Sequence, residues 1–151
     1  MQLEHLLHIH ADLKDPVTVG AGPLGTRQIV DVIGGTFEGP RLKGTVLASG
    51  GDWITIGSDG AGRLDVRATL QTDDGALIYV QYPGIMVINE AAMNALAGGG
   101  ETQFGEVEFF TQPRCETGHP DYAWLNTVVA VGEGRLLPNA VEYNISRVVN
   151  G

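Results

Sequence analysis

Hydrophobic and polar positions alternate along much of this chain, which is the period of a β-strand half buried on one face. Over residues 3–13, Leu7, Ile9, Ala11 and Leu13 share one face and Glu4, His8, His10 and Asp12 the other. Over 63–72, Leu64, Val66, Ala68 and Leu70 oppose Arg63, Asp65, Arg67 and Thr69. "LDVRATLQT" and "ALIYVQY", joined by "DDG", predict a β-hairpin. Further strands are predicted at 27–33, 41–48, 53–57, 84–88, 106–112, 122–131 and 141–149. One segment breaks the rhythm: "NEAAMNALAGGG" offers Asn89 as an N-cap, then alanines, Met93 and Leu96, then glycines, predicting a short helix over 90–97.

Turn signals such as "KDP", "AGPLG", "EGP", "SDGAG", "YPG" and "GHPD" separate these segments. Many short strands at such spacing predict an all-β sandwich or barrel, and closure favours the barrel because it leaves no exposed sheet edge. No repeat, linker or charge block divides the chain, so residues 1–151 are expected to form one antiparallel β-barrel domain.

Composition changes this picture in three ways. The 22 glycines suit tight turns better than long helices. The net charge of −9 argues against nucleic acid and anionic membranes, since no basic stripe exists to neutralise phosphates. One cysteine allows neither an internal disulfide nor a multi-cysteine metal site. The start "MQLEHLLHIHADLKD" lacks the pattern of a signal peptide, and no apolar stretch has bilayer-spanning length. A cytoplasmic location is expected.

Candidate chemistry narrows quickly. "GAGPLG" and "GSDGAG" lead into strands rather than helices and do not fit a dinucleotide-binding turn. No Gly-x-Ser-x-Gly elbow occurs, and Cys115 with His119 four residues on does not make a dyad. His8 and His10 form an H-x-H pair without a spacing-defined third ligand, so neither a metal nor a cofactor is expected. The acidic stretch 49–76 surrounds Trp53 with Asp52, Asp59, Asp65, Asp73 and Asp74. Asp59 and Asp73 suit tight turns. Asp65 and Arg67, one side-chain repeat apart on a strand, fit either a surface ion pair or the lining of a lumen. On a strand beginning near Tyr122, the side chains of Tyr122, Trp124 and Asn126 would point the same way. That row fits a small-molecule pocket and an aromatic barrel end equally well.

The motifs "EGPRLKG", "GGDW", "DGAGRLDVRATLQTDDGALI" and "ETGHPDYAWLN" together resemble the small microbial proteins of domain of unknown function 3237. The resemblance runs from "GPLGTRQ" to "VEYNISRV" and implies a single β-barrel of lipocalin-like shape, often oligomeric. It departs from the family pattern at Ala48, where a proline is usual, and at Cys115, which replaces an aromatic residue. By position it picks out Glu38, Asp52, Trp53, Asp65, Arg67, Asp74, Glu116, Tyr122, Trp124 and Asn126, of which Asp74 is discounted as a turn residue.

The expectation is a cofactor-independent enzyme acting on a small, partly apolar organic molecule in the lumen, by proton transfer of an isomerase, lyase/hydratase or cyclase type. Asp52 or Glu116 would be the acid or base, with burial raising its pKa. Arg67 would hold an anionic oxygen. Trp53, Tyr122 and Trp124 would pack the carbon skeleton, Asn126 would orient it, and Glu38 and Asp65 would complete the lining. The alternatives are a non-catalytic small-molecule carrier and a structural or assembly module, with homo-oligomerisation possible for each.

Overall fold

The computed structural model describes all 151 residues, which form an antiparallel barrel. Its strands are β1 (Gln2–Leu13), β2 (Val17–Gly22), β3 (Gly25–Glu38), β4 (Lys43–Asp52), β5 (Thr55–Ile56), β6 (Ala61–Thr72), β7 (Leu77–Val87), β8 (Phe109–Thr111), β9 (Arg114–Glu116), β10 (Ala130–Leu137) and β11 (Ala140–Val149). Eight of them close a ring in the order β1, β3, β4, β6, β7, β8, β10, β11 and back to β1. β2, β5 and β9 add short pairings to β3, to β3 and β6, and to β7. Closure gives every long strand two neighbours, which satisfies its backbone on both edges.

The alternation predicted for β1 and β6 holds: Leu7, Ile9 and Ala11, and Leu64, Val66 and Leu70, are buried. The "TDDGA" hairpin joins β6 to β7 in continuous register from Ala61↔Val87 to Gln71↔Leu77. Asn89 caps the helix α1 (Glu90–Asn94), its side-chain oxygen accepting from the Ala92 amide at 2.9 Å. The chain then widens into a π-type turn, Ala95–Gly99, which Gly98 kinks with φ of 83°.

Four predicted strands change: 106–112 pairs only at Phe109–Thr111, and 84–88 continues β7 through "YPG" without a turn. Residues 122–131 do not form one strand: Pro120–Thr127 is a 3-10 helix, and β10 starts at Ala130. His119 caps this helix with its side chain, Pro120 occupies its first turn, where its missing N–H costs nothing, and Asp121 follows. Residues 53–57 pair only at Thr55–Ile56.

The two barrel ends differ. One is plugged: Leu42, Ala76 and Leu125, from the β3–β4 turn, the β6–β7 turn and the 3-10 helix, are buried there. The opposite end carries the β1–β2 turn, the β10–β11 turn and the segment around α1. There the lumen is open.

Candidate functional site

The local geometry of "SGGDW" places a carboxylate inside the barrel. Gly50 has φ of 150°, and a Cβ there would lie 2.3 Å from the Arg67 carbonyl oxygen. Only glycine allows β4 and β6 to approach so closely. Gly51 is buried, and the Trp53 ring covers the outer side on which its Cβ would stand. Asp52, between them in the alternation, points inward.

There Asp52 joins a row. Val30, Asp52, Val66 and Tyr82 are directly opposed across β3, β4, β6 and β7, and all four line one cavity of about 420 Å³. Twenty of its 28 lining residues are hydrophobic, and that size lies within the range of small-molecule sites. Tyr143 also lines it and packs edge-on against Tyr82, with ring centroids 5.3 Å apart and planes at 73°. Phe109 meets Tyr143 edge-on at 5.5 Å. Ala95–Gly98 roof the mouth, beside Lys14, Asp15 and Asn139 from the two turns.

Asp52 Oδ1 accepts the Asp65 backbone N–H at 3.0 Å, while no protein donor reaches Oδ2. Desolvation by the apolar walls pushes its pKa up to about 6; the amide hydrogen bond opposes this and the nearby Asp65 charge adds to it. Desolvation also raises the pKa of both Tyr82 and Tyr143, and the Asp52 charge raises both further. The lumen therefore holds one carboxyl group poised near neutrality beside two phenols that stay protonated. That set can accept a proton, return it, and donate hydrogen bonds to an oxygen.

Of the residues singled out in the sequence, Asp52 alone lines this cavity. Arg67 and Asp65 stand exposed on the outer face of β6, because the apolar side chains of that strand take the inner face. Arg67 therefore cannot hold an oxygen in the lumen, and Asp65 contributes its backbone, not its carboxylate. The Trp53 indole also lies outside, and the backbone carbonyl of Trp53 accepts from Arg27 Nη1 at 2.6 Å.

The others gather at the plugged end. Glu38 and Glu116 are exposed there. The Tyr122 hydroxyl donates to Asp74 at 3.0 Å, and Trp124 lies beneath the Arg41 guanidinium, 3.8 Å from its ring centroid. Asn126 accepts the Thr117 N–H at 2.8 Å and donates to the Thr117 carbonyl at 3.0 Å. These contacts pin the 3-10 helix to neighbouring turns, far from the open mouth. The expected Tyr122–Trp124–Asn126 row is lost because 3-10 geometry turns successive side chains by about a third of a circle, not by the half circle of a strand.

Tyr82 and Tyr143 were missed, although the sequence held a signal. Each follows aliphatic residues in alternation, Ile78–Val80–Tyr82 and Val141–Tyr143–Ile145, so each sets a hydroxyl on an inward face.

His8 and His10 lie on the outer face and are occupied by neighbours. Both His10 nitrogens face carboxylates, Nδ1 to Glu142 at 3.0 Å and Nε2 to Asp12 at 3.1 Å, the pattern of an imidazolium. His8 bonds Asn144 at 2.9 Å and Glu142 at 3.3 Å. No group of three or more His, Cys, Asp or Glu side chains is placed to hold a metal ion. Burial pushes the Cys115 thiol up to about 11, away from nucleophilic use at neutral pH. No helix is long and apolar enough to cross a membrane.

A family model described as "Protein of unknown function (DUF3237)" matches residues 1–148. A β-barrel like protein from Acinetobacter baumannii AYE is 37% identical and superposes with a TM-score of 0.82 over 97% of this chain and 94% of its own. The UPF0311 protein RPA1785 of Rhodopseudomonas palustris is 30% identical over 149 residues, 99% of this chain and 97% of its own. Its crystal structure gives a TM-score of 0.88, covering 99% of both chains. The PR-toxin biosynthesis cluster protein 7 of Penicillium roqueforti is 27% identical over 157 residues, 90% of this chain and 83% of its own. An enzyme from Penicillium herquei, 24% identical, shares the fold with a TM-score of 0.69 over 97% of this chain and 94% of its own.

Proposed function

The chain belongs to the DUF3237 family, and from that premise we propose that it is a cofactor-independent enzyme binding a small, partly apolar organic molecule in the barrel lumen. The reaction is proton transfer, of an isomerase, lyase/hydratase or cyclase type, with Asp52 as the acid or base. One observation carries the reading: an ionisable carboxyl group, with one oxygen held by a backbone amide and the other free, faces an apolar cavity open at one end. A carboxylate in such walls is costly to keep, and a purely structural core would replace it with an aliphatic residue. Its pKa of about 6 suits a group that both takes and returns a proton near neutrality. The relative named for a biosynthesis cluster is in keeping with small-molecule chemistry.

The test compares wild type, Asp52→Asn and the lumen-filling Val66→Trp against a mixture of small neutral organic compounds, read by chromatography and mass spectrometry. The reading expects a compound converted by wild type alone and still bound by Asp52→Asn. Conversion that survives in both variants would refute it.

A further inference from the structure

The lining of the lumen narrows the substrate beyond "partly apolar". We propose that the substrate is an uncharged, enolisable carbonyl compound, its carbonyl oxygen held by the Tyr82–Tyr143 phenol pair while Asp52 carries a proton from the adjacent carbon. This rests on the reading of the lumen as the substrate site.

Charge gives the first argument. Lys14, Asp15 and Asp52 are the only lining residues with charged side chains, and the first two belong to the turn at the mouth. The interior offers no cation to a carboxylate or phosphate, and an ionised Asp52 would repel either. A neutral oxygen, by contrast, finds hydroxyl donors.

Geometry gives the second. Asp52 and Tyr82 stand in one inward row with only Val66 between them. Neighbouring strands lie about 4.8 Å apart, so the two backbones are separated by roughly 10 Å, and their side chains converge across the curved wall. That leaves room for a carbon and its carbonyl between a carboxyl oxygen and a phenol.

The chemistry closes without a redox co-reactant. Asp52 Oδ2 takes a proton from the carbon next to the carbonyl. The C–H electron pair becomes a C=C bond, and the carbonyl π pair moves onto oxygen, where a phenol O–H donates to the developing charge. The protonated Asp52 then returns the proton, either to the same carbon, giving exchange, or to a conjugated carbon further along, giving a double-bond shift. Fixed donors in an apolar cavity stabilise such an oxyanion more than water does, because they need no reorganisation. A carboxyl base beside neutral hydroxyl donors is a known solution to this problem in other folds.

The experiment uses the whole chain and two named probes. The first, 2-tetralone in D2O, reports loss of its α-proton signals by NMR. The second, 2-naphthol, resembles the enol form, and its affinity is compared with naphthalene and 2-naphthoate. Wild type is expected to accelerate exchange at least tenfold over buffer, and to bind 2-naphthol at least tenfold more tightly than either comparison compound. Asp52→Asn should return exchange to the buffer rate while holding 2-naphthol within a few-fold. Tyr82→Phe should weaken 2-naphthol but not naphthalene, and its melting temperature, measured alongside, should match wild type. Tighter binding of 2-naphthoate, or exchange untouched by Asp52→Asn, would overturn the substrate class alone. Failure of all three bicyclic compounds to bind, or binding unchanged by Val66→Trp, would overturn the lumen reading with it.

Discussion

The backbone amide of Asp65 donates to Asp52 Oδ1 at 3.0 Å, while the Asp65 side chain stands on the opposite, solvent face of the same barrel wall. One residue thus acts on the lumen through its backbone and on the outside through its charge. The carboxylate it holds is the one carboxylic acid in an inward row whose other members are Val30, Val66 and Tyr82.

That placement has a pH signature. The folded pKa of Asp52 is about 6 against 3.8 when free. The group therefore adds no penalty below pH 3.8, and ionisation destabilises the fold progressively as pH rises through 6. Asp52→Asn keeps the acceptor for the Asp65 amide and removes the charge. It should stabilise the protein by roughly 1–3 kcal/mol at pH 8 and by nothing measurable near pH 3.5. Urea denaturation at the two pH values checks this.

Glu142 should behave in the opposite sense. Burial pushes its pKa up, but hydrogen bonds from His10, Arg135 and His8 outweigh this and hold it at about 2, against 4.5 when free. Its contribution is complete above pH 4.5 and is lost as pH falls through 2. The Glu142 hydrogen bond leads the causes that raise the His10 pKa, burial opposes it, and the bond and charge of Asp12 support it. The His10 part is thus present at pH 6 and fades as pH rises through its folded value. Glu142→Gln should cost about 1–3 kcal/mol at pH 6 and less both at pH 3 and at pH 9. Thermal melts across that range test it.

Asn126 is expected to matter for folding and not for ligands. Asn126→Ala removes both bonds to Thr117, which tie the 3-10 helix to the chain entering it. A loss of about 1–3 kcal/mol is expected, with lumen binding unchanged. Melting temperature and 2-naphthol affinity measured on one sample separate the two roles.

Leu96 lines the mouth while remaining 54% exposed. Leu96→Trp should narrow the entrance and slow association of a lumen ligand several-fold, with stability within about 0.5 kcal/mol of wild type, as for a surface change. Stopped-flow fluorescence gives the rate.

The fold was legible because alternation and turn residues act locally, and β1, β6, β7 and α1 follow their own sequence. The site was legible only in part. Parity put Arg63, Asp65 and Arg67 on one face, but parity does not say which face is the lumen. The aliphatic partners Leu64, Val66 and Leu70 decide it, since an apolar lumen takes them and sends the charges out. Asp52 was picked out through the family motif "GGDW", whose two glycines, in the structure, make room for an inward carboxylate. Tyr82 and Tyr143 read as core because most of their surface is core; their hydroxyls become significant only once the closed barrel sets both on one cavity. The segment 120–127 was misread because its aromatic spacing suits a strand, while His119, Pro120 and Asp121 already carried the marks of a helix start.

The central claim is that Asp52 is a titrating group inside a ligand-accessible lumen. The most direct measurement is a 13C NMR titration of the Asp52 carboxyl, assigned by its loss in Asp52→Asn, with and without 2-naphthol. The account predicts a midpoint near 6, as burial produces, and a midpoint that moves when the ligand fills the cavity. A midpoint near that of a free aspartate, unchanged by bound ligand, would contradict it.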